Sequence, residues 1–363
     1  MMLVLIAVAV AVIMGTSYIS SAAIKAAGTR NLLKSCRARY LAESGLQHAL
    51  YLLWTDPSSL DNTSLTNPRG PYAADNTSAR YTLWDAPDAY EMGLHHITAR
   101  ATSEGLTHDV TWAIYRTPPY DQLMLSAAPK GYWRFDDPSG VAEDYSGGDY
   151  DLTRKNGASV GGTSGVNDGG TTLCLDGTDD YATRNATKDL QIKTDLTISL
   201  WFNMDQLPSG TNKAVLLTCG EESEAAVKNT LYQLAVNSSG QLEYMHEYSW
   251  GRDQRHVFTE ASLSTGSWHN LVVTRDWTNS VIKVYLQGQE VASWSFLNPG
   301  DPKPNSGRRS GLDVGCAWGE ESFYDGSLDE LALMNHVLSA DEIHTLYEVG
   351  GVAQKIEVRS CGN

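Results

Sequence analysis

Residues 1–54 read MMLVLIAVAVAVIMGTSYISSAAIKAAGTRNLLKSCRARYLAESGLQHALYLLW, and the reading of the whole chain turns on them. The first 24 residues are uncharged. At ~1.5 Å rise per residue they make a rod of about 36 Å, enough to cross a hydrocarbon core. Met1 to Met14 alone is shorter than a span, and Ser17, Tyr18, Ser20 and Ser21 complete it at an interface. Beyond Lys25 the pattern changes. Leu33, Cys36, Tyr40, Leu46, Leu50 and Leu53 recur at three- and four-residue steps with one gap. Arg30, Lys34, Arg37, Arg39 and Glu43 lie mostly off that stripe. No proline precedes Pro57, so the spacing predicts one helix over 1–54, apolar all round at first and amphipathic later.

Residues 55–78, rich in Pro, Ser, Thr, Asn and Asp, are expected to be an exposed linker. Residues 79–116 alternate with period two and predict a small antiparallel sheet, with a hairpin turn at Ser103-Glu104-Gly105. His95, His96 and His108 cluster there. Neighbouring strand residues face opposite ways, so His95 and His96 do not share a metal and read as surface histidines. Residues 117–130, opened by Pro118 and Pro119, are expected to be a second linker.

From 131 to 350 strand signals recur at short spacing. In Leu196–Phe202, Leu196, Ile198, Leu200 and Phe202 take one face and Thr197, Ser199 and Trp201 the other. Gly288-Gln289 is expected to be a tight turn. Ser339 and Glu342 form a capping box, with Leu338 and Ile343 as its hydrophobic staple, opening a helix that ends near Gly350. Residues 351–363 remain as a tail. The fold class is therefore α+β multidomain: a long N-terminal helix with a small antiparallel sheet, then an all-β sandwich or jelly roll.

The net charge of −16 argues against nucleic acid as a partner. Ten Trp and 18 Tyr against five Phe suit wet, polar-edged surfaces such as sugar sites. The five cysteines, Cys36, Cys174, Cys219, Cys316 and Cys361, show no metal-ligand spacing. Cys36 lies on the helix stripe and reads as a core thiol, and an exported domain permits disulfides among the others.

The helix, with Tyr40–Leu50 reading YLAESGLQHAL, resembles that of type IV pilins and type II secretion pseudopilins, closest to the minor-pilin group. The resemblance implies that the apolar half sits in the bacterial inner membrane before assembly. It then packs against other pilin-like subunits through Leu3, Leu5, Val8, Val12 and Tyr18, in an extracellular filament at the cell surface or a periplasmic pseudopilus. The chain departs from that pattern twice: no basic leader precedes Met1, and Leu5 stands where major pilins carry glutamate. A cleaved secretory signal and a plain signal anchor are the competing readings, and the basic cluster Lys25–Arg39 by itself would favour a cytoplasmic side.

GYWRFDDPSG (131–140), CLDGTDDYAT (174–183), LTISLWF (196–202), GSWHNLVVTRD (266–276), KVYLQGQEV (283–291) and GSLDELALMNHVLSADEI (326–343) stand in order. Together they resemble the LamG-like concanavalin-type jelly roll over 131–350. That fold hosts glycosidases and binding modules alike. No E-x-D-x-E run occurs, and Asp329 and Glu330, as strand neighbours, are expected to point apart. The reading is therefore not an enzyme but a subunit displaying a binding module for adhesion or for a glycan or surface-protein ligand. A minor pseudopilin, or a membrane-anchored carbohydrate-active enzyme, is the alternative. The resemblance also implies one calcium between an early loop and the final strand. Its candidate ligands are Asp136, Asp137, Asp144, Asp176, Asp179 with Asp180, and Asp329. Tyr244, Tyr248, Trp250 and Arg252 with His246, and Trp318 with Tyr324, are the candidate ligand contacts.

Overall fold

The computed structural model describes residues 2–55, 59–73, 78–87, 94–116, 119–166, 168, 170–185, 189–222, 228–249, 252–298, 309–318, 322–351 and 356–358. The chain divides into two compact units, Met1–Pro118 with Gln354–Asn363, and Pro119–Ala353.

The first unit is built on α1 (Met2–Thr55), a helix of 54 residues. Its second half packs on an antiparallel five-stranded sheet ordered Arg69–Ala73, Arg80–Trp84, Leu94–Ser103, Leu106–Arg116 and Ile356–Val358. Two strands were not expected: Arg69–Ala73 lies in the stretch read as linker, and Ile356–Val358 in the tail. The hairpin turn is Glu104-Gly105, both with positive φ, as a two-residue turn between right-twisted strands requires.

The buried face of α1 keeps Leu46, Leu53 and the half-buried Leu50 of the expected stripe but not its first half. Ala38, Ala42, Gly45, Leu46, Ala49 and Leu53 are buried, whereas Leu33, Cys36 and Tyr40 are exposed. Small residues let the sheet come close: a Cβ on Gly45 would meet Tyr81 Cδ2 at 2.9 Å and Ala99 Cβ at 3.1 Å. Close approach outweighs side-chain size here, so a count of large apolar residues misplaces the contact. His95 is also not a plain surface histidine, since its Nδ1 lies 2.7 Å from Asp85 Oδ2.

From Val12 to Ile24 nothing covers α1. Val12 is 59 % and Tyr18 77 % exposed, and Ile13, Met14, Ile19 and Ile24 are similarly bare. The side chains of Leu3, Leu5 and Val8 lie outside the described residues. Among the described residues, no helix is long and apolar enough to cross a membrane.

The second unit is a sandwich of two eight-stranded antiparallel sheets. The first sheet runs Arg252–Ser262, Gln241–Ser249, Lys228–Asn237, Lys213–Glu222, Arg309–Val314, Tyr181–Asn185, Leu152–Lys155, Val141–Ala142. The second runs Gln289–Ser295, Val281–Leu286, Trp268–Asp276, Leu196–Met204, Asp325–Met334, Thr172–Asp176, Ser159–Gly161, with Gly131–Trp133 also paired to Asp325–Met334. Leu196, Ile198, Leu200 and Phe202 enter the core between the sheets, and Trp201 enters a second core on the outer face of the second sheet. Two helices close that outer core: α2 (Tyr120–Ser126), through Tyr120 and Met124, and α3 (Ala340–Gly351), through Ile343 and Leu346. The 117–130 stretch is thus no plain linker, because an apolar pair four residues apart docks it as a helix. Ser339 caps α3 as expected: its N–H donates to Glu342 Oε2 at 2.8 Å, and Leu338 and Ile343 are buried together. The turn read as Gly288-Gln289 is Gln287-Gly288, one residue earlier, both with positive φ.

Among the described residues Cys36, Cys174, Cys219 and Cys316 form no disulfide with one another, and Cys36 is exposed rather than buried. Cys361 lies outside the described residues.

Gly326 sits at φ +140° opposite Met204, where a Cβ would collide with the Asn203 carbonyl oxygen and approach Met204 Cα at 2.9 Å. Gly326→Ala is expected to destabilise the sandwich by about 2–4 kcal/mol, read as a lower urea midpoint at unchanged m-value.

Candidate functional site

The helices of the second unit lie on the second sheet, and among the described residues the outward face of the first sheet carries none. One side chain from each of seven neighbouring strands forms a row across it, exposed at Thr153 and Arg255, half-buried at Asp313 and buried at Thr183, Thr218, Gln233 and Met245. The pairs Thr153–Thr183, Thr183–Asp313, Asp313–Thr218, Thr218–Gln233, Gln233–Met245 and Met245–Arg255 stand directly opposite one another. Six strand spacings give roughly 29 Å. These residues face outward because their neighbours Ala182, Leu312, Leu217, Leu234 and Tyr244 fill the inter-sheet core.

The row is bonded along its length. Thr183 Oγ1 donates to Asp313 Oδ1 at 2.5 Å, Gln233 Nε2 to Thr218 Oγ1 at 2.9 Å, and Arg255 Nη2 approaches Met245 Sδ at 3.0 Å. Beside it, the buried Glu243 carboxylate takes Lys213 Nζ and, at 3.2 Å, Arg255 Nη1. An apolar patch of Val215, Ala235 and Ala317 adjoins, and Trp318 packs on it. Trp318 holds φ +57°, a backbone state uncommon for a bulky residue.

Of the expected ligand contacts, Trp318 alone is thereby placed at a face. Tyr244 is wholly buried between the sheets and bonds Arg275 Nη1, while Tyr324 is buried in the same core. His246 is buried too. Burial, with the nearby Arg275 charge, lowers its pKa to about 3. These three sit at inward positions of strands or their ends, so aromatic composition misread them as loop contacts. The side chains of Tyr248 and Arg252, and all of Trp250, lie outside the described residues.

The expected calcium ligands do not form one site. Asp144 is consumed by its own loop, accepting from the N–H groups of Tyr132, Ser146 and Tyr150 and from Ser146 Oγ. Asp137 accepts from the Glu143 N–H and Tyr145 O–H. Asp136 and Asp329 join a cluster around Arg134, whose guanidinium lies 2.9 Å from Asp136, 3.0 Å from Asp168 and 3.5 Å from Glu330. The positive charge that a calcium ion would bring is already supplied there. Only Asp176, Asp179 and Asp180 converge, with carboxylate oxygens within 4.8 Å of one another. Asp180 accepts there from the Gly157 N–H, and Asp176 from the Thr178 N–H. That set alone has the oxygen-only chemistry calcium takes.

Asp329 and Glu330 do not point apart. Glu330 holds φ +51° at a bulge, since Trp201 opposes Asp329 whereas Ser199 opposes Ala332. Both carboxylates therefore face outward, while Leu328 and Leu331 stay in the inter-sheet core. Each is 1 % exposed. Asp329 Oδ2 accepts from Ser164 Oγ at 2.6 Å and the Gly165 N–H at 3.0 Å, and Glu330 Oε2 accepts from the Tyr132 hydroxyl. Burial raises Asp329 to about 8. Burial and the Asp329 charge hold Glu330 well above its usual range. Alternation hid this pair, because a bulge is invisible to a period-two count.

An acid raised in the folded state adds stability below its unfolded pKa, here 3.8, and loses it as pH rises through the folded value of about 8. Asp329→Asn keeps an acceptor for Ser164 and cannot ionise. Relative to the parent, its urea stability is expected to improve by on the order of 2–4 kcal/mol between pH 5 and pH 9. A pH-independent difference would refute the assignment.

Residues 176–344 match the sequence model of the family described as the concanavalin A-like lectin/glucanases superfamily, Laminin_G_3. No curated protein matches the chain. Among solved structures, the botulinum neurotoxin serotype D ligand-binding domain in complex with N-acetylneuraminic acid is similar at 14 % identity over 63 % of this chain and 52 % of that one, TM-score 0.47. The botulinum neurotoxin serotype G binding domain is similar at 14 % identity over 61 % and 51 %, TM-score 0.45. Trypanosoma rangeli sialidase in complex with sialic acid is similar at 13 % identity over 74 % and 44 %, TM-score 0.46. The chain spans about half the length of these structures or less. Over residues 176–344 the all-β sandwich of this chain is thus similar to the concanavalin A-like jelly-roll domain that this family model describes.

Proposed function

We propose that this chain is a pilin-like subunit of an extracellular filament, inserted in the bacterial inner membrane before assembly, and that it displays a jelly-roll module for adhesion to a glycan-bearing surface. The observation that carries the reading is the bare, uncharged segment Val12–Ile24 of α1, which exposes Val12, Ile13, Met14, Tyr18, Ile19 and Ile24 beside the hydroxyls of Thr16, Ser17, Ser20 and Ser21. That much exposed apolar surface calls for surroundings, which a bundle of copies or a bilayer gives. The other half of the same helix is seated on its own sheet through Ala38, Ala42, Leu46, Ala49 and Leu53. One helix thus serves anchoring at one end and folding at the other. The parent chain in detergent-free buffer is expected to form filament-sized particles visible by negative-stain electron microscopy. Val12→Asp with Tyr18→Asp should leave it monodisperse with unchanged circular dichroism. A monodisperse parent would sink the reading.

The polar row on the first sheet supports binding rather than turnover, and a neutral ligand rather than an anionic one. Thr183 gives its proton to Asp313, so both present acceptors, and the cations Lys213 and Arg255 are spent on Glu243. Acceptors suit the hydroxyls of a neutral glycan and disfavour a carboxylate such as that of the N-acetylneuraminic acid held by the neurotoxin domain. Trp318 supplies an aromatic surface beside the row. On a glycan array the chain should retain neutral oligosaccharides over sialylated ones, and Trp318→Ala should weaken retention about tenfold. Preference for sialylated glycans would overturn this choice.

A further inference from the structure

We propose that the basic stretch of α1, in which Arg30, Lys34 and Arg37 form a ridge and Lys25 stands on the other side of the helix, docks against acidic residues of a second copy of this chain. The inference rests on the filament reading and specifies the electrostatic contact that reading leaves open.

Charge on this chain is segregated. Residues 1–42 hold five of its 27 basic residues and none of its 43 acidic ones, so the remainder holds 22 basic against 43 acidic, formally −21 against +5. Arg30, Lys34 and Arg37 stand at i, i+4 and i+7 and share one side of the helix. Within the unit they meet a single carboxylate: Glu104 lies 3.3 Å from Lys34 Nζ and 2.8 Å from Arg37 Nη1. One anion shared by two cations leaves a surplus. Lys25 and Arg30 are exposed and have no ion-pair partner among the described residues.

Copies carrying −16 repel one another. Packing their bare apolar segments together gathers the acidic remainders of neighbouring copies, formally −21 each, where repulsion acts over a Debye length of ~8 Å at physiological salt. The stretch that can relieve it within the same assembly is the basic one, which follows the apolar segment directly in sequence. An axial stagger that sets this ridge beside a neighbour's acidic surface satisfies both charges. Every copy brings both halves of the contact, which makes a second copy the occupant the charge distribution favours. An anionic lipid headgroup would be attracted to the ridge too, but would leave the acidic surface unrelieved.

The test uses the full chain, with Lys25→Glu/Arg30→Glu and the neutral Lys25→Gln/Arg30→Gln, followed by sedimentation at 0.15 M and 1 M NaCl. Binding to phosphatidylglycerol and phosphatidylcholine vesicles is measured alongside. The parent's half-assembly concentration should rise roughly fivefold between the two salts. The charge-reversed variant should need at least that much more protein at 0.15 M and show little further salt effect, with the glutamine variant between them. Circular dichroism should be unchanged, because both side chains are exposed and neither has an ion-pair partner among the described residues. Variants that assemble as the parent does would overturn the ridge while leaving the filament reading intact. Loss of phosphatidylglycerol binding with self-assembly unchanged would assign the ridge to lipid and overturn it equally. A parent that assembles at neither salt would remove both.

Discussion

The constraint on which the second unit depends is that the central strands of one of its sheets are buried on both faces. In Leu196–Met204 every residue but Asn203 is buried, since one face meets the inter-sheet core and the other meets the core under α2 and α3. A strand so placed cannot present a ligand surface. On the opposite sheet the polar row is exposed at its two ends, Thr153 and Arg255, and buried at Thr183, Thr218, Gln233 and Met245. The burial of the central strands also explains the carboxylates at Asp329 and Glu330. They lie under the helical layer, and what keeps them tolerable is hydrogen bonding from Ser164, Gly165 and Tyr132 together with Arg134. Arg134 reaches Asp121 on α2 at 3.8 Å as well as Glu330 on the sheet, so one guanidinium ties the helical layer to the strands beneath.

What could be read from sequence was whatever repeats with a regular period or closes with a local signal. The inward set Leu196, Ile198, Leu200 and Phe202, the long helix, the Ser339–Glu342 cap and the order of elements all follow from neighbours a few residues apart. What could not be read depends on exceptions to the period or on distant pairing. Glu330 changes face through one left-handed residue. Beside Leu46 and Leu53, the packing stripe of α1 is made of alanines and a glycine, whose signal is the absence of bulk. The row Thr183, Asp313, Thr218, Gln233 exists only because strands far apart in sequence become neighbours, as Tyr181–Asn185 does with Arg309–Val314. Its members are ordinary outward strand residues until the sheet order is known. The expected calcium set failed for a related reason: aspartates beside turns are chosen by turns, as Asp144 and Asp137 show, and composition alone does not separate a turn carboxylate from a metal ligand.

The bonded state of the polar row bears on how it would recognise anything. Hydroxyls and amides that already hold one another in place lose little rotamer freedom when a ligand arrives, so more of each new hydrogen bond appears as affinity. The same bonds restrict what the row can offer. Thr183 has spent its only proton on Asp313, and one amide hydrogen of Gln233 is engaged by Thr218. A ligand must therefore supply most of the donors itself. Hydroxyl-rich molecules do so, and a carboxylate or phosphate does not. A row about seven strands wide also sets a minimum on size, because a single sugar would touch only a small part of it. Under the proposed function, the preference this implies is for an extended, neutral, hydroxyl-bearing chain held by many modest contacts. Such weak contacts gain most from being presented in many copies, because each further attachment is intramolecular once the first has formed. A module of this kind is of most use on a repeating scaffold, and a long helix with a bare apolar end is the part of this chain suited to building one.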